Sequence, residues 1–346
     1  IASSGGSRPA ANLMSSSPLR DAPPNLSGCI TDVPGFMLGH CEKKEALTGL
    51  SVLICPPGAV GACELRGTAT ATRGLDALRP EHLVGNVDAI VLTGGSAYGL
   101  ASADGVMRYL ESKGRGFSVA RHTVPTVAAA VLFDLNTGDG DFRPDAAMGL
   151  AACEAATERE GPQGNVGAGL GATVGKLLGR GRAMKGGIGT ASIRLPGGGT
   201  VGAVAAVNAW GGVYDPATGA PLAGPRAEAP EVGIIDTTHY LYTNGRPFEG
   251  WTGSGENTTL GVVTTDVALT KAETQKLSQM AANGLIQTVR PSYSTVDGDV
   301  VFAVSSGEKK ESLDAVGAAA QTALSRAICR AIIEAEGIDA IPAWRD

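Results

Sequence analysis

Apolar residues come in short runs along this chain, each closed by glycine, proline or a polar turn. The first clear run, Leu50-Ser-Val-Leu-Ile-Cys55, predicts a buried strand and stops at Pro56-Pro57-Gly58. A second, residues 86–93, ends at Gly94-Gly95 and gives way to helical periodicity over 96–111, so strand, glycine turn and helix follow one another. Residues 124–135 continue as a buried strand, and 143–157 read as a helix whose small residues suit close packing. The stretch 164–176 is so rich in glycine that it reads as a strand against which another backbone comes close. Residues 200–212 are apolar except for Asn208, whose amide must find a backbone or substrate partner if buried. A Pro-, Gly- and Ala-rich linker over 213–231 leads towards a loop at 253–257, and a strand runs from Thr258 to Leu269. Thr270-Lys-Ala-Glu273 is a capping box for a helix reaching about 286. Asp297-Gly298-Asp299 reads as a tight turn, hairpin chemistry, into a strand at 300–305, and an Ala-rich helix over 312–336 closes the pattern. By contrast, residues 1–27 are Ser, Pro, Ala, Gly and Asn with scattered charge, too poor in apolar area to offset ordering entropy, and predict a flexible tail.

Composition narrows the function more than the fold. With 346 residues the chain can bury a sizeable core, and 50 glycines with only 4% aromatics favour small-residue packing and tight turns. The net charge of −6 and the absence of any basic cluster denser than Lys176 to Lys185 argue against nucleic acid. No apolar run reaches the ~18 residues of a membrane span, so no membrane partner is expected. Cys29, Cys41, Cys55, Cys63, Cys153 and Cys329 form no C-x-x-C pair and no metal-like spacing, which predicts buried thiols and a reducing, cytoplasmic setting.

Several motifs invite chemistry. His40 beside Cys41 suggests a Cys/His pair that nothing else supports, against a packed thiol. Ser96 follows a strand and glycine turn, but Tyr98 stands where G-x-S-x-G needs glycine, which leaves a capping or turn serine. Lys176 ends a near-miss of a phosphate loop: Leu170 stands where the first glycine belongs and Leu177 where a hydroxyl belongs. The stretch that organises the rest is Gly253-Ser-Gly-Glu-Asn257-Thr258-Thr259, a flexible loop entering a β-rich segment. Its glycines and Asn257 tolerate strained turns that could turn the carbonyl before Thr258 towards the Thr258 hydroxyl, the geometry of an N-to-O acyl shift. Cleavage there would give Thr258 a free α-amine, with a reference pKa of about 8, beside its own hydroxyl, so one residue would supply nucleophile and base. The plain alternative is a surface loop entering a strand.

Taken together, Ile30-Thr-Asp-Val-Pro-Gly35, Leu92-Thr-Gly-Gly-Ser-Ala-Tyr-Gly99, Gly167-Ala-Gly-Leu-Gly171 with Lys176, Asn208, Asn257-Thr258-Thr259 and Asp297-Gly-Asp299 resemble the DmpA-type aminopeptidase family over about residues 28–338. Within it the Asn/Thr processing site resembles the nylon-oligomer (6-aminohexanoate-oligomer) hydrolase branch. The resemblance implies an α/β fold, a four-layer αββα sandwich of N-terminal-nucleophile-hydrolase type, forming one catalytic domain over 28–346. It further implies autocleavage between Asn257 and Thr258 into an α subunit (1–257) and a β subunit (258–346), and a homo-oligomer of αβ pairs such as a tetramer.

Carried over by the resemblance, Thr258 is the nucleophile, Lys176 a cation near its amine and Asn208 a donor to the oxyanion. Asp297 and Asp299 stand where the family orients the nucleophile's amine or receives a substrate amino group, and an aspartate at 297 again resembles the nylon-oligomer branch. One departure concerns the family's active-site tyrosine, where this chain has Phe133; Tyr98 or water would have to replace its phenol, and Tyr98 and Phe133 are candidates for lining the site. The implied activity is hydrolysis of short peptides or linear amides through an acyl-enzyme on Thr258, with no metal or organic cofactor. The alternatives are an aminopeptidase confined to short peptides and amino-acid amides, and a non-catalytic binding protein that keeps the fold.

Overall fold

The computed structural model describes residues 13–14, 26–245 and 256–346. The predicted tail therefore lies outside the described residues apart from Leu13–Met14, which pair with Ile234–Ile235, Leu26, which packs against the core, and Ser27, whose carbonyl accepts from Ser192 N. Gly253, Ser254 and Gly255 of the predicted loop also lie outside them.

Ten strands build two five-stranded mixed sheets. The first sheet comprises β1 (Met37–Lys43), β2 (Thr48–Ile54), β4 (Thr72–Arg73), β5 (Ala89–Thr93) and β6 (Val127–Val131), in the order β1-β2-β5-β6-β4. The second comprises β3 (Val60–Leu65), β7 (Gly187–Arg194), β8 (Thr200–Asn208), β9 (Thr258–Val267) and β10 (Val300–Lys309), in the order β7-β8-β9-β10-β3. In each sheet one central pair is parallel, β5 with β6 and β9 with β10, and the remaining pairs are antiparallel.

Both faces of both sheets are covered, which is why Thr48–Ile54, Ala89–Thr93, Thr200–Asn208 and Thr258–Val267 are buried along nearly their whole length rather than at every second residue. Period two nevertheless decides the layers. Leu260, Val262, Val300, Phe302 and Val304 face Leu53, Ile90, Leu92, Ala128 and Ala130 between the sheets. Val263, Val301 and Ala303 point the other way, onto Leu277, Ala281 and Leu285 of α4 (Lys271–Thr288) and Ala320, Leu324 and Ile328 of α5 (Leu313–Ile333). On the far side, Val52, Val91 and Ala129 meet Val106 and Leu110 of α1 (Ser102–Ser112) and Ala152 of α2 (Ala146–Glu154). The result is the expected αββα stack. A short helix, α3 (Thr237–Asn244), lies outside the four layers.

Local signals account for the helix boundaries. The Thr270/Glu273 capping box opens α4 as predicted, Ser312 caps α5 and Asp145 caps α2. The stretch predicted as helix from 96 begins as a 3-10 turn, Ser96–Ala101, before α1 takes over. Ser96 itself has φ 54° and makes no side-chain cap, so it is a turn serine.

Three expectations need correcting. The stretch 164–176 is not a strand but a 3-10 turn, Gly167–Gly169, followed by the two-residue strand Thr173–Val174; the close backbone contact is real, since a Cβ on Gly169 would lie 2.3 Å from the Ile188 nitrogen. Residues 213–231 are not a plain linker: Gly212–Tyr214 pairs with Pro221–Ala223 and Val289–Arg290 in a small sheet, with Val213, Leu222 and Ala223 in the core. Asp297-Gly298-Asp299 makes no hairpin, because β10 runs parallel to β9 and antiparallel to β3, neither of which it follows directly in the chain.

Candidate functional site

Sheet pairing assembles the site at one end of the second sheet. Thr258 is the first residue of β9 and stands opposite Asn208, the last residue of β8. The parallel register that sets Leu260 beside Val300 places Asn257 beside Asp297 just before the two strands begin. Lys176 enters from a 3-10 turn, Lys176–Leu178, behind Gly175. Thus Lys176, Asn208, Asn257, Thr258, Asp297 and Asp299, scattered over more than a hundred positions, meet in one buried cluster.

Asn208 is its hub. The side-chain amide is fully buried and saturated: Nδ2 donates to the carbonyls of Phe133 and Glu256, both at 3.0 Å, and Oδ1 accepts from Thr173 N at 2.9 Å and Lys176 Nζ at 2.8 Å. The predicted backbone partners are therefore found. Lys176 Nζ also donates to the Asn208 carbonyl at 2.9 Å and the Glu256 carbonyl at 3.1 Å, so three oxygens use its three protons. Burial, and then the neighbouring Arg180 guanidinium, push the Lys176 ammonium down to about 7, while Asp297, Glu256 and Asp134 act in the opposite sense.

The peptide bond ahead of Thr258 is polarised from two sides. The Asn257 carbonyl accepts from Thr258 Oγ1 at 2.6 Å and from the Gly298 N–H at 2.8 Å. Gly298 must be glycine here, because a Cβ would lie 2.6 Å from the Ala69 oxygen and 2.7 Å from Thr258 Oγ1. Asp299 braces the next residue, accepting from Thr259 N at 2.6 Å and from Tyr293 N at 2.9 Å, and Asp297 accepts from the Ser294 hydroxyl and backbone N–H. Burial, reinforced by Asp297, raises the Asp299 carboxyl well above the usual range; burial also raises Asp297, with Ser294 and Lys176 working against the rise.

Phe133 takes part through its main-chain carbonyl, a contact that does not depend on its side chain. Tyr98 stands on the surface, 58% exposed, with the Arg143 guanidinium 3.7 Å from its ring centroid, and no hydrogen bond among the described residues ties it to the cluster. His40 is partly buried with Nδ1 on the Ser51 hydroxyl at 2.8 Å rather than on Cys41, and desolvation of the ring pushes it down to about 4. All six cysteines are free.

Sequence reasoning missed three participants: Glu256, Arg180 and the Gly298 N–H. Lys185 is the more surprising member of the densest basic stretch, because it is fully buried with Nζ on the carbonyls of Gly169, Ala172 and Gly186 at 2.8–2.9 Å. Only adjacency to the candidate cleavage point could have drawn attention to Glu256, and nothing in the sequence pairs it with Arg180.

The sequence model described as "Peptidase family S58" matches residues 28–343. An uncharacterized aminopeptidase of Mycobacterium leprae is 40% identical over 91% of this chain and 92% of its own length. A 6-aminohexanoate-oligomer endohydrolase of Kocuria sp. is 31% identical over 80% of this chain and 74% of its own. Among solved structures, a Burkholderia sp. beta-aminopeptidase superposes with a TM-score of 0.66 at 22% identity, covering 93% of this chain and 91% of that one. An L-aminopeptidase D-Ala-esterase/amidase from Ochrobactrum anthropi, described as a variant of the Ntn hydrolase fold, gives 0.66 at 18% identity over 91% and 88%. The αββα stack is thus of the N-terminal-nucleophile hydrolase type.

Proposed function

Because the chain belongs to peptidase family S58, and is therefore an amide-bond hydrolase, we propose that it matures by cutting itself between Asn257 and Thr258 and then works through the Thr258 hydroxyl. The observation that carries this reading is the doubly held Asn257 carbonyl, with Thr258 Oγ1 on one side and the Gly298 N–H on the other.

In the self-cleavage step, Thr258 Oγ attacks the Asn257 carbonyl carbon, and the Gly298 N–H supports the negative charge that develops on its oxygen. The C–N bond breaks, the hydroxyl proton passes to the departing nitrogen, and an ester joins Asn257 to Thr258. Water hydrolyses the ester and frees the hydroxyl beside a new α-amine.

In turnover the α-amine takes the hydroxyl proton as Oγ attacks a substrate carbonyl, and returns it to the leaving amine; water then releases the acid. Asn208 Nδ2 lies within reach of a carbonyl in this cluster, as its hold on the Glu256 carbonyl illustrates, and a fixed donor of this kind contributes about 3 kcal/mol to the transition state. Asp299 holds the Thr259 N–H, one residue beyond the amine that cleavage would create.

The substrates on this reading are short peptides or amides with a free amine, in keeping with the name aminopeptidase carried by the 40% identical Mycobacterium leprae relative. Asn257-Thr258 and Asp297 favour a second reading in which aminohexanoate oligomers are also cut. Parallel assays on a dipeptide series and on aminohexanoate oligomers separate the two.

The test of the central claim is the intact denatured mass of fresh protein. Dividing 34.8 kDa in the ratio of 257 to 89 residues gives pieces of about 26 and 9 kDa. The smaller should begin Thr-Thr-Leu-Gly, and Thr258→Ala should abolish the cut. A chain that stays whole under all conditions would overturn the reading and favour a binding protein that keeps the fold.

A further inference from the structure

Glu256 is held at both ends. Its main-chain carbonyl accepts from Asn208 Nδ2 at 3.0 Å, the donor assigned above to a substrate carbonyl, and from Lys176 Nζ at 3.1 Å. Its carboxylate is held by two polar side chains, with Oε1 accepting from Asn136 Nδ2 at 3.1 Å and Oε2 from Arg180 Nη1 at 3.3 Å. Arg180 is fixed in turn: Nη2 donates to Thr137 Oγ1 at 3.1 Å, and that hydroxyl donates to the Gly171 carbonyl at 2.9 Å. An acyl residue bound for attack has to satisfy the same two demands, a carbonyl on the oxyanion donors and a side chain in the pocket beside them.

We propose that Arg180 and Asn136 form an acyl-side specificity pocket for a carboxylate, filled by Glu256 before self-cleavage and vacated after it, so that the processed enzyme prefers amides whose acyl residue is acidic. This rests on the reading of Thr258 as the released nucleophile.

Charge supports the assignment. Glu256 is the sole ion-pair partner of Arg180 among the described residues, and the pair is only partly exposed, at 32% and 22% of the two side chains. Once Glu256 leaves, a half-buried guanidinium stands beside the Lys176 ammonium, two like charges whose repulsion an incoming carboxylate relieves. A neutral isostere can accept hydrogen bonds there but cannot supply the charge, and charge-assisted bonds to a planar guanidinium are the stronger kind.

The test uses full-length processed protein and the α-(4-nitroanilides) of L-glutamate, L-glutamine, L-alanine and L-lysine, with the fragment masses of every sample checked. The expected kcat/KM for the glutamate anilide exceeds that for glutamine by about tenfold or more. Arg180→Gln should bring that ratio close to one, and Arg180→Glu should turn the preference towards lysine. Equal rates on glutamate and glutamine anilides in the wild-type enzyme refute the pocket whether or not the variants mature, as does an undiminished ratio in Arg180→Gln. A cut enzyme that turns over alanine anilide without acidic preference refutes the pocket alone. A chain that neither cuts itself nor turns over any anilide refutes the reading of Thr258, and the pocket with it.

Discussion

Replacing Asn208 by alanine should damage folding and chemistry together, and the structure gives the size of each. The substitution removes the only side-chain acceptor among the described residues for the buried Thr173 N–H and one of the three oxygens around the Lys176 ammonium. It also strips a donor from the carbonyls of Phe133 and Glu256, of which Glu256 keeps Lys176. An orphaned buried N–H costs about 1–3 kcal/mol and a lost bond to a charged group about 1.5–3 kcal/mol, so Asn208→Ala should lower stability by roughly 3–5 kcal/mol. That is survivable in a protein of ordinary stability of about 5–15 kcal/mol. Urea unfolding of the uncut Thr258→Ala chain measures the loss, and in that background a double-mutant cycle with Lys176→Met should show a coupling energy of about 1–3 kcal/mol, because the two side chains share one network. For the fraction that folds and matures, losing one oxyanion donor should reduce kcat about 10²–10³-fold. A variant within about 0.5 kcal/mol of wild type, or additive with Lys176→Met, would refute the claim that this amide is the hub.

Two further predictions concern neighbours of that hub. Gly298→Ala should slow self-cleavage at least tenfold on a gel time course, because its Cβ would lie 2.7 Å from the Thr258 hydroxyl and 2.6 Å from the Ala69 oxygen; processing at the wild-type rate would show that the hydroxyl is not held there. Burial pushes Lys185 from 10.5 down to about 7, so between those values the folded protein holds fewer protons than the unfolded chain and stability climbs with pH. The climb due to one such group is at most about 1.4 kcal/mol per pH unit, and Lys185→Met should remove its share while Lys176 keeps its own. Urea midpoints across that window that rise equally in both proteins would contradict this.

The strands within 50–55, 86–93, 200–212 and 258–269 were legible as apolar runs and the Thr270/Glu273 capping box marked α4, whereas Met37–Lys43, with its Glu42 and Lys43, carries no such run. Leu260 and Val263 look alike in sequence, yet one faces the opposite sheet and the other faces α4 and α5. Burial on both faces conceals which is which, so layer assignment needed the structure. Thr258, Asn208, Lys176 and the two aspartates stood out through a family resemblance, and the β8–β9–β10 register explains why they converge. Arg180 and Glu256 did not stand out, since a pair separated by 76 positions has no local signature. Lys185 carried no sequence signal of burial, which only the carbonyls of Gly169, Ala172 and Gly186 turned onto its ammonium make tolerable. The small sheet at 212–223 was hidden by turn-forming residues around strands of three residues each.

A break ahead of Thr258 would leave β9, β10, α4 and α5 on a piece of 89 residues whose two strands stay clasped between β8 and β3 of the larger piece, through eight registered pairs on one side and six on the other. Neither piece then owns a complete second sheet. The uncut chain folds as one molecule, with its strand partners tethered at high effective concentration; the cut protein, once unfolded, must find its partner by diffusion. Recovery after heat or urea should therefore be efficient and indifferent to dilution for Thr258→Ala, but poor and dilution-sensitive for the mature form, which makes each mature molecule's endurance a matter of its unfolding rate.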